Sequence, residues 1–357
     1  MLPSRIVYVP TLAIRPSEMN GLEQLPARTK DKMRPLFLLA PWANAKSLGK
    51  AIERAQKAYP DRDYFIDIDR SYLVGNPEAE AQAEFLDIQN SEFCFDAWWS
   101  LLTEYDKAIP CLQLQDQKRE CIFRQIDRAQ NLNREFCIRI RIQNIPENLN
   151  DLIFCLNEVG SSDYTLVLDG EWVRDPLELQ MRISGFITNG LAELKAHIPL
   201  VVSCTSMPKE YGQIEGVESI PFNNRKLVEQ VSRNHNERRI VYGDWGSTRP
   251  RERSGGSGIA PNRVDYPKDD YWIIARKCGT GHTFQEAAEE IVFRSDKWDA
   301  DLNLWGVNMI LQTLKNEDFG INTLKKNVAA RVNIHLHRQA FYGEDLGSID
   351  LDEDWQD

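Results

Sequence analysis

Between residues 7 and 242 of this 357-residue chain, short apolar runs alternate with segments of amphipathic helical spacing. Parallel neighbouring strands need a crossover connection, so strands that alternate with single helices predict β-α-β units and a parallel sheet. Runs such as LVLD and LVVSC are apolar on both sides, which is typical of a sheet covered by helices. The eight predicted strands are Val7–Ile14, Pro35–Ala40, Tyr64–Asp69, Ile109–Gln115, Phe136–Ile142, Tyr164–Leu168, Pro199–Cys204 and Arg239–Tyr242.

The number of strands restricts the fold class. Eight strands, each followed by a helix or its loop within about 250 residues, match an α/β fold of the (β/α)8 TIM-like barrel type better than an open sheet. A flavodoxin-like or Rossmann-like open sheet is the alternative, but residues 13–18 read AIRPSE and lack the Gly-rich turn of a dinucleotide fold. The predicted helices are Ala45–Ala58, Phe93–Tyr105, Lys118–Leu132, Leu149–Val159, Pro176–Lys195 and Arg225–Arg233.

After residue 250 the composition changes. Residues 250–270 are rich in Pro, Gly, Ser and charged residues, which predicts a mobile loop. A further strand is predicted at Tyr271–Ala275, followed by helices around Phe284–Phe293 and Leu302–Asn316. The stretch RVNIHLH at 331–337 has alternating apolar positions, which predicts one more strand.

These patterns predict three parts of the chain: a barrel over 1–254, an α+β appendage over 255–342 packed on the barrel, and an acidic tail over 343–357. The tail holds seven acids and no Lys or Arg in its last fourteen residues, so it is expected to be disordered. The formal net charge of the chain is −11, and much of it comes from this tail. Because the rest is only mildly acidic, no broad nucleic-acid-binding surface is expected.

Composition also indicates the compartment. The N-terminal MLPSRIVYVPTLAIRP lacks the long apolar core of a signal peptide, and no run approaches the roughly eighteen apolar residues of a membrane helix. The seven cysteines are scattered without a CxxC pair, and most lie in apolar runs. This pattern predicts buried thiols rather than disulfides or a zinc site. We expect a cytoplasmic protein without a membrane partner.

Several stretches spread along the chain carry a family resemblance. They are YVPTL at 8–12 with Arg15 and Glu18, RPL at 34–36, LDG at 168–170, SMP at 206–208, YGDWG at 242–246 and WGVN at 305–308. Together they resemble the phage "beta protein" family, whose members are encoded by prophages, satellite phages and defence-associated loci. The resemblance implies a role in antiphage defence or toxin control, with a protein partner encoded in the same locus. It implies no settled reaction.

In a parallel α/β barrel, functional side chains project from the carboxyl ends of the strands. Strand alternation places Asp67 with Asp69 on one face, and likewise Arg139 with Arg141. Gln113 and Gln115 lie at another strand end. The candidate catalytic residues are Asp169 and Asp244, and the candidate ligand-binding residues are Arg15, Asp67, Asp69, Arg139, Arg141, Ser206, Trp245 and Arg249.

Two interpretations of these charged residues stay open. In the first, arginines at the barrel mouth bind an anionic, phosphate-containing ligand such as a nucleotide, and aspartates hold Mg²⁺ or act as acid and base. In the second, the same groups form an internal salt-bridge network. The function is therefore either a binding module or, alternatively, a metal-dependent phosphodiesterase or nuclease. No HExxH, GxSxG or P-loop motif decides between them.

Overall fold

The computed structural model describes residues 2–211, 214–252, 262–276, 283–316 and 319–346. The contacts within the chain divide it into two units. The barrel unit consists of Met1–Ile14, Arg34–Ser206 and Asn223–Trp245. The second unit consists of Arg15–Met33, Met207–Phe222 and Gly246–Asp357. The predicted division into a barrel over 1–254 and an appendage over 255–342 stays a prediction.

All eight predicted barrel strands are present, in the predicted order. In chain order the strands are β1 (Tyr8–Ala13), β2 (Leu36–Leu39), β3 (Tyr64–Ile68), β4 (Ala108–Pro110), β5 (Phe136–Arg141), β6 (Tyr164–Trp172), β7 (Leu200–Thr205), β8 (Gly216–Pro221) of the second unit, and β9 (Ile240–Asp244). The barrel strands pair in the order β4-β3-β2-β1-β9-β7-β6-β5, and every pair is parallel.

The two ends of this sheet meet just beyond β4. Cys111 and Cys137 form an isolated parallel bridge between β5 and the residue that follows β4. The sheet is therefore a nearly closed, eight-stranded parallel barrel that alternates with helices. This arrangement agrees with the predicted barrel and is not the open sheet of the alternative.

Helices connect the barrel strands. The helices of the first 234 residues are α1 (Pro16–Glu23) and α2 (Ala27–Asp31) of the second unit, then α3 (Gly49–Ala58), α4 (Glu80–Ile88), α5 (Asp96–Leu102), α6 (Arg119–Asn131), α7 (Leu149–Val159), α8 (Pro176–Gly190) and α9 (Asn224–Asn234). The start of α8 shows how the sequence specifies these elements. Pro176 occupies its first turn, and the Asp175 side chain accepts a hydrogen bond from the Leu177 backbone N–H.

Alternate strand residues fill the barrel interior. Its apolar cluster includes Val9, Leu36, Phe65, Val167 and Val201, all buried. Gly243 of β9 allows close packing at this point, because a Cβ there would lie 2.9 Å from the Val201 side chain and from the Val9 carbonyl oxygen. Strand β9 therefore needs glycine at position 243 for a steric reason.

The cysteine prediction was partly wrong. Cys94 and Cys121 form a disulfide that links the segment before α5 to α6. Cys111, Cys137, Cys155 and Cys204 are free and buried, as expected. The seventh, Cys278, lies outside the described residues. No CxxC spacing reveals this disulfide in the sequence, because its partners lie 27 residues apart.

The second unit contains a small antiparallel sheet and helices. Its sheet pairs β10 (Arg263–Pro267) with β11 (Tyr271–Arg276), and β11 with β8. Its remaining helices are α10 (Phe284–Glu289), which continues into a π-helical turn at Glu290–Arg294, α11 (Trp305–Leu314) and α12 (Leu324–Ala340). Part of the predicted mobile loop over 250–270 is thus strand β10, and residues 253–261 lie outside the described residues. Most of the predicted acidic tail, residues 347–357, lies outside them too.

The prediction of a strand at 331–337 was wrong, because this stretch lies within α12. Every residue from Ala329 to Ala340 is buried. In a helix that is buried on all sides, the apolar residues do not repeat every 3.6 positions along one face. The apolar residues of this stretch therefore showed no helical pattern, and their alternation resembled that of a strand. In the described part of the chain, no helix is both long and apolar enough to cross a membrane.

Candidate functional site

A cavity of about 520 Å³ opens at the carboxyl ends of the barrel strands. The residues that line it belong to the barrel unit. They lie near the carboxyl ends of β2, β3, β5 and β6 and in the loops after β3, β4 and β5, with Trp245 after β9. Carboxyl strand ends are the functional face of such barrels. The polar residues of the lining are Asp67, Asp69, Arg70, Ser71, Gln113, Gln115, Asp116, Gln117, Lys118, Arg139, Arg141, Asn144, Glu147, Asn148 and Glu171.

Arg139 lies at the centre of a buried ionic network. Its Nε and Nη2 donate to Asp169 Oδ2 at 3.0 and 2.7 Å, and its Nη1 donates to Asp67 Oδ2 at 3.2 Å. Burial disfavours the cation, but the charges of Asp169 and Asp67 outweigh burial and raise the pKa of Arg139. Asp169 Oδ1 accepts hydrogen bonds from Trp245 Nε1 and the Glu171 backbone N–H. Both Asp169 oxygens are therefore engaged in internal contacts.

Two glutamines extend this network under the cavity. The Gln113 amide donates to Asp67 Oδ1 at 2.8 Å and accepts from Arg70 Nη2 at 2.8 Å. The Gln113 backbone N–H donates to Oε1 of Gln125, a fully buried residue of α6, at 2.9 Å. The Nε2 of Gln125 donates in turn to the Gln113 backbone carbonyl at 2.8 Å. A side chain held at both its backbone and its amide has little rotamer freedom, so Gln113 fixes the positions of Asp67 and Arg70.

Two arginines face the cavity with fewer internal partners than Arg139. Arg70 donates to Gln115 Oε1 and Gln113 Oε1, which are neutral amides. Among the described residues, Arg141 forms one ion pair, in which its Nη1 lies 3.8 Å from Oε1 of Glu171. Burial lowers the pKa of Arg70, the Asp67 charge opposes this, and the Arg141 charge adds to it. Arg70 and Arg141 line the same cavity, so their like charges oppose each other there.

Glu171 has an unusual backbone. Its φ is +54°, and the pairing of β6 with β7 shifts register between Asp169 and Trp172. Left-handed backbone is uncommon outside glycine and is over-represented at functional sites. Burial raises the pKa of Glu171, the Asp169 charge raises it further, and Arg139 and Arg141 lower it. The bulge thus turns a carboxylate toward Arg141 and the cavity.

Asp244, a predicted catalytic residue, has a different environment. It does not line the cavity, and its two oxygens accept hydrogen bonds from Tyr8 and Tyr242, which stack at 5.5 Å. Arg225 lies over the Tyr242 ring, 3.6 Å from its centroid. Burial and the Asp244 charge raise the pKa of both tyrosines, so both phenols keep their protons and donate. Asp244 and Asp169 lie at the carboxyl ends of strands on either side of β7, but their carboxylates accept hydrogen bonds from different groups.

The remaining predicted site residues are divided between the units. Asp69 lines the cavity, and its Oδ1 accepts from the Ser71 N–H at 3.2 Å. Ser206 belongs to the barrel unit outside the cavity, where its Oγ lies 3.5 Å from Asn224 Oδ1. Arg15 and Arg249 belong to the second unit, where Arg15 pairs with Glu18 and donates to the Arg249 carbonyl at 3.5 Å.

The described residues do not provide the set of ligands that a Mg²⁺ site would need. Across the described ranges, no group of three or more His, Cys, Asp or Glu side chains could hold a metal ion. Asp67, which lines the cavity, and the fully buried Asp169 already neutralise Arg139. A role of Asp169 or Asp244 in catalysis stays a prediction.

The sequence analysis missed several lining residues, namely Arg70, Lys118, Asn148 and Glu171. Arg70 follows the FIDID run directly, and Glu171 lies two residues after Asp169, so both were within reach of the strand-end rule. Glu171 was missed because alternation does not reveal a bulge. Lys118 and Asn148 belong to loops, and neither has a motif.

Comparison with known proteins identifies the family. The model of the Beta protein family matches residues 8–341. Protein beta of Enterobacteria phage P4 is 24% identical over 362 residues, which cover 97% of this chain and 97% of that protein. The match spans both units and agrees with the resemblance carried by YVPTL, LDG and YGDWG. The chain belongs to the Beta protein family.

Proposed function

We propose that this chain is a ligand-binding protein whose barrel cavity binds a small anionic, phosphate-containing ligand, and that it acts in antiphage defence or toxin control. The observation that carries the binding proposal is the pair of arginines, Arg70 and Arg141, that line one cavity. Their mutual repulsion is relieved when an anion binds between them, and guanidinium groups suit phosphate because they donate two parallel hydrogen bonds.

The ionic network around Arg139 supports a division of roles. Asp67 and Asp169 satisfy Arg139, which is buried, so this arginine has little capacity left for a ligand. Arg141, two residues along the same strand, has its recorded carboxylate partner at 3.8 Å and keeps about a third of its side chain exposed. Arg139 therefore supports the floor of the cavity, and Arg141 is available to the ligand.

Binding is favoured over metal-dependent hydrolysis by the engagement of the carboxylates. A catalytic carboxylate needs a free oxygen toward metal or substrate, whereas both oxygens of Asp169 accept internal hydrogen bonds. The phosphodiesterase or nuclease alternative stays a prediction, as does a protein partner encoded in the same locus.

The biological part of the proposal rests on family membership. The matched relative is Protein beta of a phage, and the alignment covers nearly all of both chains. A phage-derived protein with a small-molecule cavity suits a sensor or regulator that responds to a metabolite changed by infection. The ligand would then control whether the protein acts on an invading phage or on a toxin.

The binding proposal is tested by calorimetric titration with inorganic phosphate and pyrophosphate. We expect both anions to bind the unaltered protein, and Arg70→Gln and Arg141→Gln each to weaken binding about ten-fold or more through loss of a charge-assisted contact. Arg124→Gln is the matched control, because Arg124 is exposed on α6 and does not line the cavity. Absence of anion binding, or equal binding by all variants, would contradict the proposal.

The biological proposal is tested in cells. Plating efficiency of a phage panel is measured on bacteria that express the unaltered chain, Arg141→Gln or Arg124→Gln, with and without any toxin that the same locus encodes. We expect the first and third strains to differ from the empty-vector strain in phage resistance or toxin survival, and the Arg141→Gln strain to match the empty vector. No difference among the strains would argue against this role.

A further inference from the structure

Two amide side chains in the cavity lining are held in a fixed orientation. Gln117 donates from Nε2 to the carbonyl oxygens of Ser91 and Gln115, both at 3.2 Å. Asn148 donates from Nδ2 to the carbonyl oxygens of Leu114 and Gln117, at 2.9 and 2.7 Å. Because a flipped amide would place its oxygen against these carbonyls, the hydrogen bonds determine which atom is oxygen.

This orientation leaves two acceptors without a donor from the described residues. Gln117 Oε1 and Asn148 Oδ1 are buried and have no hydrogen-bond partner among the described residues. Gln117 is 6% exposed. An unsatisfied buried acceptor destabilises a fold unless a donor reaches it, and most such groups in proteins have one. These two oxygens, on neighbouring loops of one cavity, point to a ligand that carries donors.

Two carboxylates near these oxygens are also hydrogen-bond acceptors. Asp116 and Glu147 line the cavity on the same two loops, after β4 and β5. An ionised carboxylate accepts hydrogen bonds and repels other anions. We call Asp116, Gln117, Glu147 and Asn148 the acceptor group. Inorganic phosphate at neutral pH brings mainly acceptor oxygens, so it satisfies the arginines and leaves the acceptor group unmatched.

We infer that the cavity takes a phosphorylated compound whose other end presents N–H or O–H donors, with its phosphate at Arg70 and Arg141 and its donors at the acceptor group. The inference rests on the proposed function, because the phosphate end is the anion proposed above. Nucleotides and sugar phosphates share this chemistry: amino groups of bases and hydroxyls of sugars are the donors. A cavity of about 520 Å³ has room for either.

The experiment compares three probes by calorimetric titration: inorganic phosphate, ribose 5-phosphate and adenosine monophosphate. The variants are Asn148→Ala and Glu147→Ala, with Asn150→Ala as the matched control, since Asn150 is exposed on α7 outside the cavity lining. Glu147 is exposed, so its variant is expected to fold even if Asn148→Ala is destabilised. Melting temperatures establish that each variant is folded.

We expect the unaltered protein to bind at least one organic phosphate about ten-fold tighter than inorganic phosphate. Asn148→Ala should reduce that preference by about two- to ten-fold while leaving the affinity for inorganic phosphate within about two-fold. Glu147→Ala should reduce it too, and Asn150→Ala should not. Preference for ribose 5-phosphate would identify hydroxyl donors, and preference for adenosine monophosphate over it would identify the base.

Equal affinity for all three probes would overturn this inference and leave the anion site standing. Unchanged preference in both Asn148→Ala and Glu147→Ala would overturn it as well, because the donors would then bind elsewhere. If inorganic phosphate and both organic phosphates fail to bind, the inference and the proposed function fall together.

Discussion

At the scale of single residues, the position along a strand decides what a charge does. Arg139 and Arg141 point the same way from β5, and both line one cavity. The deeper one is enclosed by Asp67 and Asp169, because an unpaired buried cation is costly. The outer one is more exposed and pairs with Glu171 at 3.8 Å. The salt-bridge interpretation thus describes Arg139, whereas ligand binding at Arg141 stays a proposal.

The Arg139 network predicts a large stability effect for Asp169→Asn. The amide keeps the shape but places an N–H₂ donor or a neutral oxygen against the guanidinium, so we expect unfolding in urea to show a loss of about 3–5 kcal/mol. Adding Arg139→Gln should recover part of that loss, which a double-mutant cycle measures as a coupling energy. Asp87→Asn, at an exposed position on α4, is the control. A fully stable Asp169→Asn protein would show that the pair is not needed for stability.

At the scale of secondary-structure elements, the sequence was most informative where an element has one buried face. Helix α7 was predicted with the bounds it has, Leu149–Val159, and all eight barrel strands were predicted from apolar runs. It was least informative for α12, which is buried all around, and for β8, where Glu218 and Ser219 are exposed. Pattern analysis depends on a difference between an apolar, buried face and a polar, exposed face, and neither element shows that difference clearly.

Helix α12 also predicts a pH effect. Burial, together with the smaller effect of the Arg338 charge, lowers the pKa of His337 to about 4. Thr29 Oγ1 lies 2.8 Å from its Nδ1. As the pH falls, the unfolded chain therefore binds a proton at His337 near pH 6.5, whereas the folded chain binds it only near pH 4. The stability that the neutral His337 contributes is fully present above pH 6.5 and is lost as the pH drops toward 4. We expect an extra slope of up to about 1.4 kcal/mol per pH unit in this window.

Chemical denaturation at several pH values measures that slope. His337→Gln removes the titrating group and should flatten the profile between pH 6.5 and 4. His197→Gln should not change it, because His197 is exposed. A His337→Gln profile that still falls as steeply as the unaltered one would mean that other groups produce the acid sensitivity.

The disulfide between Cys94 and Cys121 predicts a second effect at this scale. It closes a loop with a sequence separation of 27, so its loss should destabilise the protein by about 3–4 kcal/mol in the chain-entropy model. The segment it holds, Phe93–Phe95, has positive φ at each residue, and Arg70 of the cavity lies over the Phe95 ring. The disulfide therefore supports one side of the candidate site.

Thiol titration of the denatured protein tests the disulfide directly. Two more thiols should react after reduction than before it, and Cys94→Ser with Cys121→Ser should remove that difference and lower the unfolding free energy. Cys155→Ser is the control, since Cys155 is a free thiol. Equal thiol counts with and without reductant would show that the two cysteines are not bonded.

At the scale of the whole molecule, the sequence predicted the barrel but only part of the site. Strand count and crossovers follow from local patterns, and a side chain at a strand end can be assigned to the carboxyl face of a barrel. The contacts that distinguish residues there depend on partners far away in the chain: Asp67 and Asp169 flank Arg139 from different strands, and Gln125 reaches Gln113 from α6. The hydrogen bond between Asp244 and Tyr8 could not be predicted for the same reason, because the two residues lie 236 positions apart.

The central claim is that the cavity at the carboxyl end of the barrel is an anion site built around Arg70 and Arg141. A crystal structure grown with tungstate, an electron-dense phosphate mimic, tests it most directly. We expect eight parallel strands around a nearly closed barrel and an anomalous peak within about 4 Å of both guanidinium groups. An open sheet, or tungstate bound elsewhere on the barrel unit with no peak between these two arginines, would contradict it.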